Sequence, residues 1–332
     1  MDGVRDFGNG CLCYLQDCNQ GSGWGWSNSG LIVDGDQAVL IDTLRDERLT
    51  HHMLEEYRAA TGLAARDINT LVNTHADGDH TFGNRLMEHA RIYATPECKD
   101  GILARPPSAF QGLLENRPEG IIGDFIFELY GPPFDFTGID PKLPTDLVKE
   151  DMTLTVGDKK VELIKVGPAH TPGDMLAVVP SERTVFTGDV VFFTNTPVLW
   201  SGPCSNWIAA LDHILSLDIE TVVPGHGPVT DKNGVRKTKE YLVYIQAEAR
   251  KRFDAGMPIE EAIQDIALGE FEDWGGSERI VVNLNRLYCE FGGKEPVTDF
   301  GSMIAMMAPY AERARKRRAG SSPEAPKSCC PH

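Results

Sequence analysis

Short apolar runs separated by turn-forming residues dominate the chain up to about residue 235. The runs at 31–33 and 38–41 flank Asp34-Gly35-Asp36, a pattern that is typical of a β-hairpin. Residues 46–61 and 205–217 have apolar residues at helical spacing. Further apolar runs predict strands at 70–73, 92–94, 161–166, 184–186 and 221–223. Strands interleaved with helices indicate an α/β fold.

Two segments depart from this pattern. Residues 97–150 are rich in proline and aromatic side chains, and because long connections are often functional, we expect an insertion that caps the site. Beyond residue 235 the periodicity predicts helices at 236–254, 258–268, 277–291 and 300–317. We therefore expect a domain at 1–235, a helical extension at 236–318 and a flexible tail at 319–332.

Composition narrows the range of functions. The chain has 332 residues, with 32 basic and 49 acidic side chains, so its formal charge is −17. This acidic balance disfavours nucleic acid, because a phosphate backbone binds basic faces. No apolar run reaches the roughly 18 residues of a membrane span, so no membrane partner is expected. The amino terminus lacks a signal-peptide pattern, which predicts a cytoplasmic protein.

Four polar loops follow predicted strands and contain side chains that bind metals. Loops at the ends of neighbouring strands converge at one edge of a sheet, and imidazole and carboxylate groups suit Zn, Fe or Mn. The candidate ligands in these loops are His75, Asp77, Asp79, His80, His170, Asp189 and His226. Seven ligands are too many for one tetrahedral ion. We therefore expect two divalent metal ions a few ångströms apart, with one carboxylate between them.

The order of these loops, together with the strand ends at 28–32 and 40–43, resembles the metallo-β-lactamase-fold superfamily over about residues 28–230. The resemblance implies a four-layer αββα sandwich with a binuclear metal site at one sheet edge. It further implies that His75 and His170 hold the first metal, and that Asp79, His80 and His226 hold the second. Asp189 would be the residue that bridges the two ions.

Asp77 is the position at which the sequence departs from the superfamily motif His-x-His-x-Asp-His, because most members carry a second His there. Three alternatives are open: Asp77 is itself a ligand, or it only hydrogen-bonds the loop, or the first metal site is weak or lost. We favour the ligand, since a carboxylate oxygen binds metals well. Zn is the expected metal, while the added carboxylate shifts the preference toward Fe or Mn. The flavodiiron branch of the superfamily carries a similar change to Glu.

These residues support three functional hypotheses. The leading one is a binuclear hydrolase, in which a metal-bound hydroxide attacks an ester, thioester or lactone of a small organic substrate. Asp79 is then the catalytic residue that orients or deprotonates the water. The second is a di-iron redox enzyme, an oxygenase or oxygen reductase, which Asp77 favours. The third is a non-catalytic binding module with a degraded metal site.

Aromatic and polar residues near the ligand loops are candidates for substrate binding. The predicted set is Trp24, Trp26, Phe193, Asn195 and Trp200, and aromatic residues of 125–136 in the insertion would close over the metals. Together they predict a small-molecule substrate with an apolar or aromatic part. The same side chains are also compatible with packing in the core. The helical extension either covers the sandwich or forms a homodimer interface, and the sequence does not choose between these.

Overall fold

The computed structural model describes residues 3–17, 23–292 and 300–321. Most of the predicted flexible tail, residues 322–332, lies outside the described residues. Within the described ranges, the strands form one sheet of seven strands and a second sheet of five. No described helix is both long enough and apolar enough to cross a membrane.

The first sheet begins with antiparallel strands and ends with parallel ones. Its order is β1 (Gly3–Asp6), β2 (Cys11–Leu15), β3 (Ser29–Asp34), β4 (Gln37–Ile41), β5 (Thr70–Val72), β6 (Arg91–Ala94) and β7 (Asp146–Leu147). Strands β3 and β4 form the predicted hairpin, with Asp34 paired to Gln37. Gly35 in the turn has a φ of 63°, a left-handed conformation that glycine adopts readily.

The second sheet is antiparallel except at one edge. It contains β8 (Met152–Val156), β9 (Lys159–Lys165), β10 (Met175–Val179), β11 (Thr184–Phe186) and β12 (Thr221–Val223). Its spatial order is β12-β11-β10-β9-β8, and β11 and β12 are parallel. Both strands of this parallel pair therefore end at the same edge of the sheet.

Ten helices accompany the sheets in the described part of the chain. They are α1 (Glu47–Thr61), α2 (Gly78–Thr81), α3 (Pro96–Ala104), α4 (Pro107–Glu115), α5 (Ile121–Tyr130), α6 (Cys204–Ser216), α7 (Lys232–Asp254), α8 (Ile259–Asp265), α9 (Ile280–Gly292) and α10 (Phe300–Ser321). The first begins at Asp46, whose carboxylate accepts a hydrogen bond from the Leu49 amide. It ends at Gly62, which is in the left-handed conformation.

The alternation of side chains along the strands builds the layers. Ile32 of β3 faces the second sheet and packs in one core with Leu163 of β9. Its neighbour Leu31 points the opposite way and packs with Met53 and Tyr57 of α1. On β10, Leu176 packs on the far side of the second sheet with the core that α6 and α7 share. The predicted four-layer αββα sandwich is thus confirmed.

The insertion and the extension pack on the sandwich as part of one core. Phe125 of α5, Ile280 of α9 and Met307 of α10 are buried in the same hydrophobic cluster as Trp207 of α6. The extension therefore covers the sandwich, which is one of the two roles that the sequence left open. A homodimer interface stays a prediction.

Candidate metal centre

The ligand loops follow β5 of the first sheet and β9, β11 and β12 of the second, and they meet at one edge of the sandwich. Two glycines allow the loops to approach each other closely, since a Cβ on Gly225 would collide with the Asp189 carboxylate. Gly188 has a φ of 49° and packs against Thr74, the residue before the first ligand loop's His75. The Gly-Asp and Gly-His pairs of the sequence are therefore structural requirements of this edge.

The structure brings all seven predicted ligands together as two groups joined by one carboxylate. In the first group, the candidate ligand atoms of His75, Asp77 and His170 lie within 4.8 Å of one another. The same limit holds for Asp79, His80 and His226 in the second group. This grouping coincides with the partition that the resemblance implied.

Asp189 lies between the two groups. Its Oδ1 is 3.1 Å from His80 Nε2, and its Oδ2 is 3.2 Å from His226 Nε2. From the other group, the Nε2 atoms of His170 and His75 are 3.4 Å and 3.8 Å from Asp189 Oδ2. Asp189 is thus the one carboxylate of the cluster within 4 Å of all four imidazoles.

Hydrogen bonds donated by Nδ1 orient the imidazole rings of His170 and His226. His170 Nδ1 donates to the Val198 carbonyl at 2.7 Å, and His226 Nδ1 donates to the Trp26 carbonyl at 2.9 Å. A carbonyl oxygen only accepts, so the Nδ1 atom carries a hydrogen in both rings. The Nε2 atom is consequently the one that faces the centre. Partners of this kind fix ring orientation in metal sites.

Asp42 supports the other two imidazoles. Its Oδ2 lies 3.0 Å from His80 Nδ1 and accepts the Thr74 hydroxyl at 2.7 Å. The same hydroxyl oxygen lies 3.0 Å from His75 Nδ1, and the Thr74 amide donates to Asp42 Oδ1. Asp42 adopts a φ of 59°, which Asp tolerates better than most residues. Sequence reasoning gave it no role, although an Asp directly after an apolar strand was a signal.

The polar atoms at the centre fit a divalent cation. In the part of the chain that the structure describes, the buried Nε2 atoms of His75 and His80 make no well-aligned hydrogen bond, although His80 Nε2 lies 3.1 Å from Asp189 Oδ1. The buried Oδ1 of Asp189 also lacks one. Unpaired buried polar atoms are rare and costly. Imidazole nitrogens and a carboxylate oxygen arranged in this way are the donor set of a metal site.

Burial and charge shift the pKa values of the imidazoles in different directions. Burial lowers the pKa of His75 to about 4. Burial acts in the same direction on His170, but its hydrogen bond to Asp77 and the charge of Asp189 raise its pKa to about 9. In the metal-free chain at neutral pH, His75 is therefore a neutral imidazole, and His170 is a cation that is protonated on both ring nitrogens. Metal binding at His170 would release the proton on its Nε2.

Asp77 faces the centre with one oxygen and an arginine with the other. Its Oδ2 is 3.2 Å from His170 Nε2, and its Oδ1 accepts a hydrogen bond from Arg105 Nη2 at 2.6 Å. Burial would raise the pKa of Asp77, but the charges of Arg105 and His170 hold it well below its usual value. Asp77 is therefore an anion whose charge is balanced by the insertion, since Arg105 directly follows α3.

A second arginine accompanies the other group. Arg45 Nη1 is 3.5 Å from Asp79 Oδ1, and the Arg45 side chain is only 6% exposed. Its guanidinium carbon lies 5.2–5.6 Å from the ring centroids of Phe110, Tyr130, Phe134 and Phe136. Cation–π contacts of this kind are strongest when desolvated. The aromatic residues of the insertion thus cover this ligand group through their contacts with Arg45.

Two of the five predicted substrate-binding residues line the pocket above the centre. Trp24 and Trp200 are on its wall, with their ring centroids 6.1 Å apart. The Trp24 indole N–H donates to Glu278 Oε1 at 2.6 Å, which holds the ring in place.

The other three predicted residues do not line this pocket, and their part in substrate binding stays a prediction. Trp26 packs its ring on Phe134, with centroids 4.9 Å apart, and contributes only its carbonyl to His226. Phe192 lies on the wall in place of its neighbour Phe193. Asn195 is fully buried and accepts a hydrogen bond from Arg279.

Sequence reasoning missed several residues of the pocket wall. They are Arg45, Arg105, Phe110, Arg279 and Phe300, whereas Tyr130 on the same wall belongs to the aromatic residues of 125–136 that the sequence had singled out. Arg279 comes from the helical extension, and its guanidinium carbon lies 4.7 Å from the centroid of the Trp24 ring. None of the missed residues stands in a local motif, so the sequence held no signal for them.

Comparison with known proteins decides the family. A family model described as the metallo-beta-lactamase superfamily matches residues 22–226, more than half of the chain. The chain belongs to the metallo-β-lactamase superfamily. Members of this superfamily are mostly metal-dependent hydrolases, and the candidate His and Asp clusters agree with divalent metal binding.

Two relatives of this chain are named for different activities. A probable metallo-hydrolase of Methanocaldococcus jannaschii is 23% identical over 232 residues, which cover 67% of this chain and 98% of that protein. The 2,4-dinitroanisole O-demethylase subunit alpha of a Nocardioides species is 25% identical over 207 residues, covering 59% of this chain and 51% of the subunit.

A solved structure shows the same fold. The inverting sec-alkylsulfatase Pisa1 from a Pseudomonas species superposes with a TM-score of 0.65 at 17% identity. The match covers 91% of this chain but 51% of the sulfatase, so the chain spans about half of that protein's length. The shared fold therefore reaches beyond the region that the family model matches.

Proposed function

We propose that this metallo-β-lactamase superfamily member is a binuclear metal-dependent hydrolase acting on an ester, thioester or lactone of a small organic molecule. One observation carries the proposal: four imidazole Nε2 atoms and three carboxylates converge in a buried cluster beside a pocket. The relative from Methanocaldococcus jannaschii, named a probable metallo-hydrolase, supports the reaction class.

Each group of ligands has a place in this proposal. His75, Asp77 and His170 would hold one divalent ion, Asp79, His80 and His226 would hold a second, and Asp189 lies between the two groups. When bound, such ions, with Zn as the leading candidate, would supply Lewis acidity toward a water molecule and the substrate oxygen.

Asp79 is the residue proposed to orient the attacking water. It lines the pocket, and its Oδ2 is 3.5 Å from His226 Nε2 while its Oδ1 faces Arg45. Burial would raise the pKa of Asp79, but the charges of Arg45 and His80 lower it below its usual value. Asp79 is therefore an anion at neutral pH and accepts a hydrogen bond from the water.

A di-iron oxygenase or oxygen reductase is the second candidate, and the position of Asp77 favours it. A carboxylate beside His170 adds a hard ligand, which suits Fe or Mn better than a third imidazole does. The ion pair with Arg105 weakens this argument, because Asp77 and Arg105 together carry no net charge. Arg105 thus leaves the hydrolase as the better-supported proposal.

Metal analysis combined with two assays tests the proposal. Protein purified without oxygen is analysed for Zn, Fe and Mn, reconstituted with the metal found, and assayed with p-nitrophenyl acetate, a thioester and a lactone. Oxygen uptake is measured in parallel. Asp189→Asn is compared with Asp212→Asn, a change of an exposed helical carboxylate.

The outcomes separate the three hypotheses. Two Zn ions per chain, with hydrolysis that Asp189→Asn abolishes and Asp212→Asn retains, support the hydrolase. Two Fe ions with oxygen uptake and no hydrolysis would replace it with the redox enzyme. A chain that binds no metal and has neither activity would be a binding module.

A further inference from the structure

A second cavity lies directly outside the metal pocket and shares a wall with it. The inner pocket encloses about 40 Å³, whereas the outer cavity encloses about 710 Å³. Arg105, Phe110, Trp200 and Phe300 line both. One water molecule needs roughly 10–15 Å³ by this measure, and sites for drug-sized ligands have roughly 300–1,000 Å³. The inner pocket therefore admits a reacting group, while only the outer cavity has room for the rest of a substrate.

Trp200 stands at the junction of the two cavities. Its ring centroid lies 5.8 Å from that of Phe300, and the Arg105 guanidinium carbon lies 5.8 Å from the same Trp200 ring. Arg286 holds the Trp200 backbone by donating to its carbonyl at 2.8 Å. Any molecule that spans both cavities must pass this aromatic and cationic junction.

The wall of the outer cavity is mainly apolar and comes from three parts of the chain. The insertion supplies Ala109 and Leu113, the segment after β11 supplies Leu199, and the extension supplies Val282 and Met303. Apolar walls favour an apolar ligand in proportion to the surface that leaves water. The cavity thus fits a hydrocarbon body better than a sugar or a peptide.

We infer that the outer cavity binds the apolar acyl or alkyl body of the substrate, while its reacting end passes Trp200 into the inner pocket. The statement that the reacting end of the substrate points toward the metal centre rests on the proposed function. The affinity of the cavity for a hydrocarbon body does not, because it depends only on the wall. The inference assigns a substrate class, an amphiphile with a medium-length hydrocarbon chain, to the same site.

A binding experiment tests the cavity without any turnover. Binding of decanoate and of acetate to the metal-loaded protein is measured by calorimetry, since the two share a carboxylate and differ only in the chain. Ala109→Phe fills the cavity, and Ser108→Phe is the matched control, because Ser108 is an exposed neighbour on α4 that is not part of the wall. Both positions are exposed, so neither change disturbs the core.

Decanoate is expected to bind at least about tenfold more tightly than acetate, since each buried methylene is worth about 0.8 kcal/mol. Ala109→Phe should remove most of this preference, and Ser108→Phe should keep it. Equal binding of decanoate and acetate would overturn the inference. A preference for decanoate that both variants retain would overturn the inference as well, because the hydrocarbon chain of decanoate would then bind elsewhere on the protein.

A kinetic arm separates this inference from the proposed function. With methyl acetate and methyl decanoate as substrates, and with the acid released followed by pH-stat titration, Ala109→Phe should raise the KM for the decanoate ester and leave that for the acetate ester unchanged. If decanoate binds as expected but no ester is hydrolysed, the cavity stands and the hydrolase proposal fails. If esters are hydrolysed without any effect of chain length or of Ala109→Phe, the hydrolase stands and this inference fails.

Discussion

Arg105 Nη2 donates a hydrogen bond to Asp77 Oδ1 at 2.6 Å, and so joins the insertion to the residue at which the ligand motif departs from the superfamily pattern. An imidazole at this position would bring no charge, whereas Asp77 brings one negative charge. Arg105 restores the balance from outside the ligand loop. The substitution and the insertion are therefore two parts of one arrangement.

Arg105→Ala is expected to weaken metal binding at the group of His75, Asp77 and His170. The unpaired charge of Asp77 changes its position, and loss of such supporting partners typically lowers metal affinity about 10–100-fold. Metal content by mass spectrometry should fall from two ions per chain toward one. Arg117→Ala, an exposed arginine of the same insertion, is the control. Full retention of two ions in Arg105→Ala would contradict the role given to Arg105.

Arg45→Ala is expected to destabilise the folded chain by about 3 kcal/mol, because it leaves the Asp79 carboxylate buried without its cation. The change also empties the space among four aromatic rings of the insertion. Urea unfolding measures the free energy of unfolding. Arg66→Ala, at a side chain that is 88% exposed, should change it by less than about 0.5 kcal/mol. Similar small effects of both variants would show that Arg45 contributes little.

Asp42→Asn is expected to lower metal affinity about 10–100-fold with little loss of folding. Asn tolerates the positive φ of residue 42, but it lacks the charge that orients His80 and Thr74. Competition with a chromogenic chelator measures the affinity. Asp36→Asn, in the exposed hairpin turn, provides the comparison. An unchanged affinity in Asp42→Asn would mean that the imidazoles hold their orientation without this carboxylate.

Glu278→Gln is expected to change how stability depends on pH. Burial raises the pKa of Glu278 above its ordinary value, so the folded chain holds this proton more tightly than the unfolded chain does. The contribution is present below the unfolded pKa and is lost as pH rises through the folded pKa. The Tm of Glu278→Gln relative to that of the natural chain should therefore increase as the pH rises above the ordinary pKa of Glu.

Two features make the Glu278 measurement specific. Gln keeps an acceptor for the Trp24 indole N–H, so the variant removes the titration and leaves the hydrogen bond. Glu260→Gln, at an exposed position at the start of α8, should follow the natural chain at every pH. A Tm difference between Glu278→Gln and the natural chain that is constant with pH would argue against a buried proton at Glu278.

Local pattern was sufficient for strands such as β3, β4, β5 and β12, for the long helices and for the positions of the ligand loops. The hairpin of β3 and β4 depends on a turn of a few residues, and α1 begins and ends at Asp46 and Gly62, which the chain itself supplies. The loop that contains His226 directly follows strand β12. The pattern of apolar and polar residues along the sequence is therefore enough to place this loop at a sheet edge.

The pairing of side chains across the pocket followed no local pattern. Arg105 meets Asp77 across 28 positions of the sequence, and Arg279 meets Asn195 across 84. Which of the neighbours Phe192 and Phe193 lines the pocket depends on how the segment after β11 packs against the rest of the chain. These contacts arise from the packing of the insertion and the extension on the sandwich.

The sequence by itself therefore determined the α/β class and the candidate ligands, because short-range periodicity and strand ends encode them, and its resemblance to the superfamily implied the sandwich. Only the tertiary structure decided which charges balance Asp77 and Asp79, and which aromatic residues separate the inner pocket from the outer cavity. The physical reason is packing between distant parts of the chain: it buries the Arg45 guanidinium and partly covers that of Arg105, and each is stabilised by a carboxylate and aromatic faces that other segments supply.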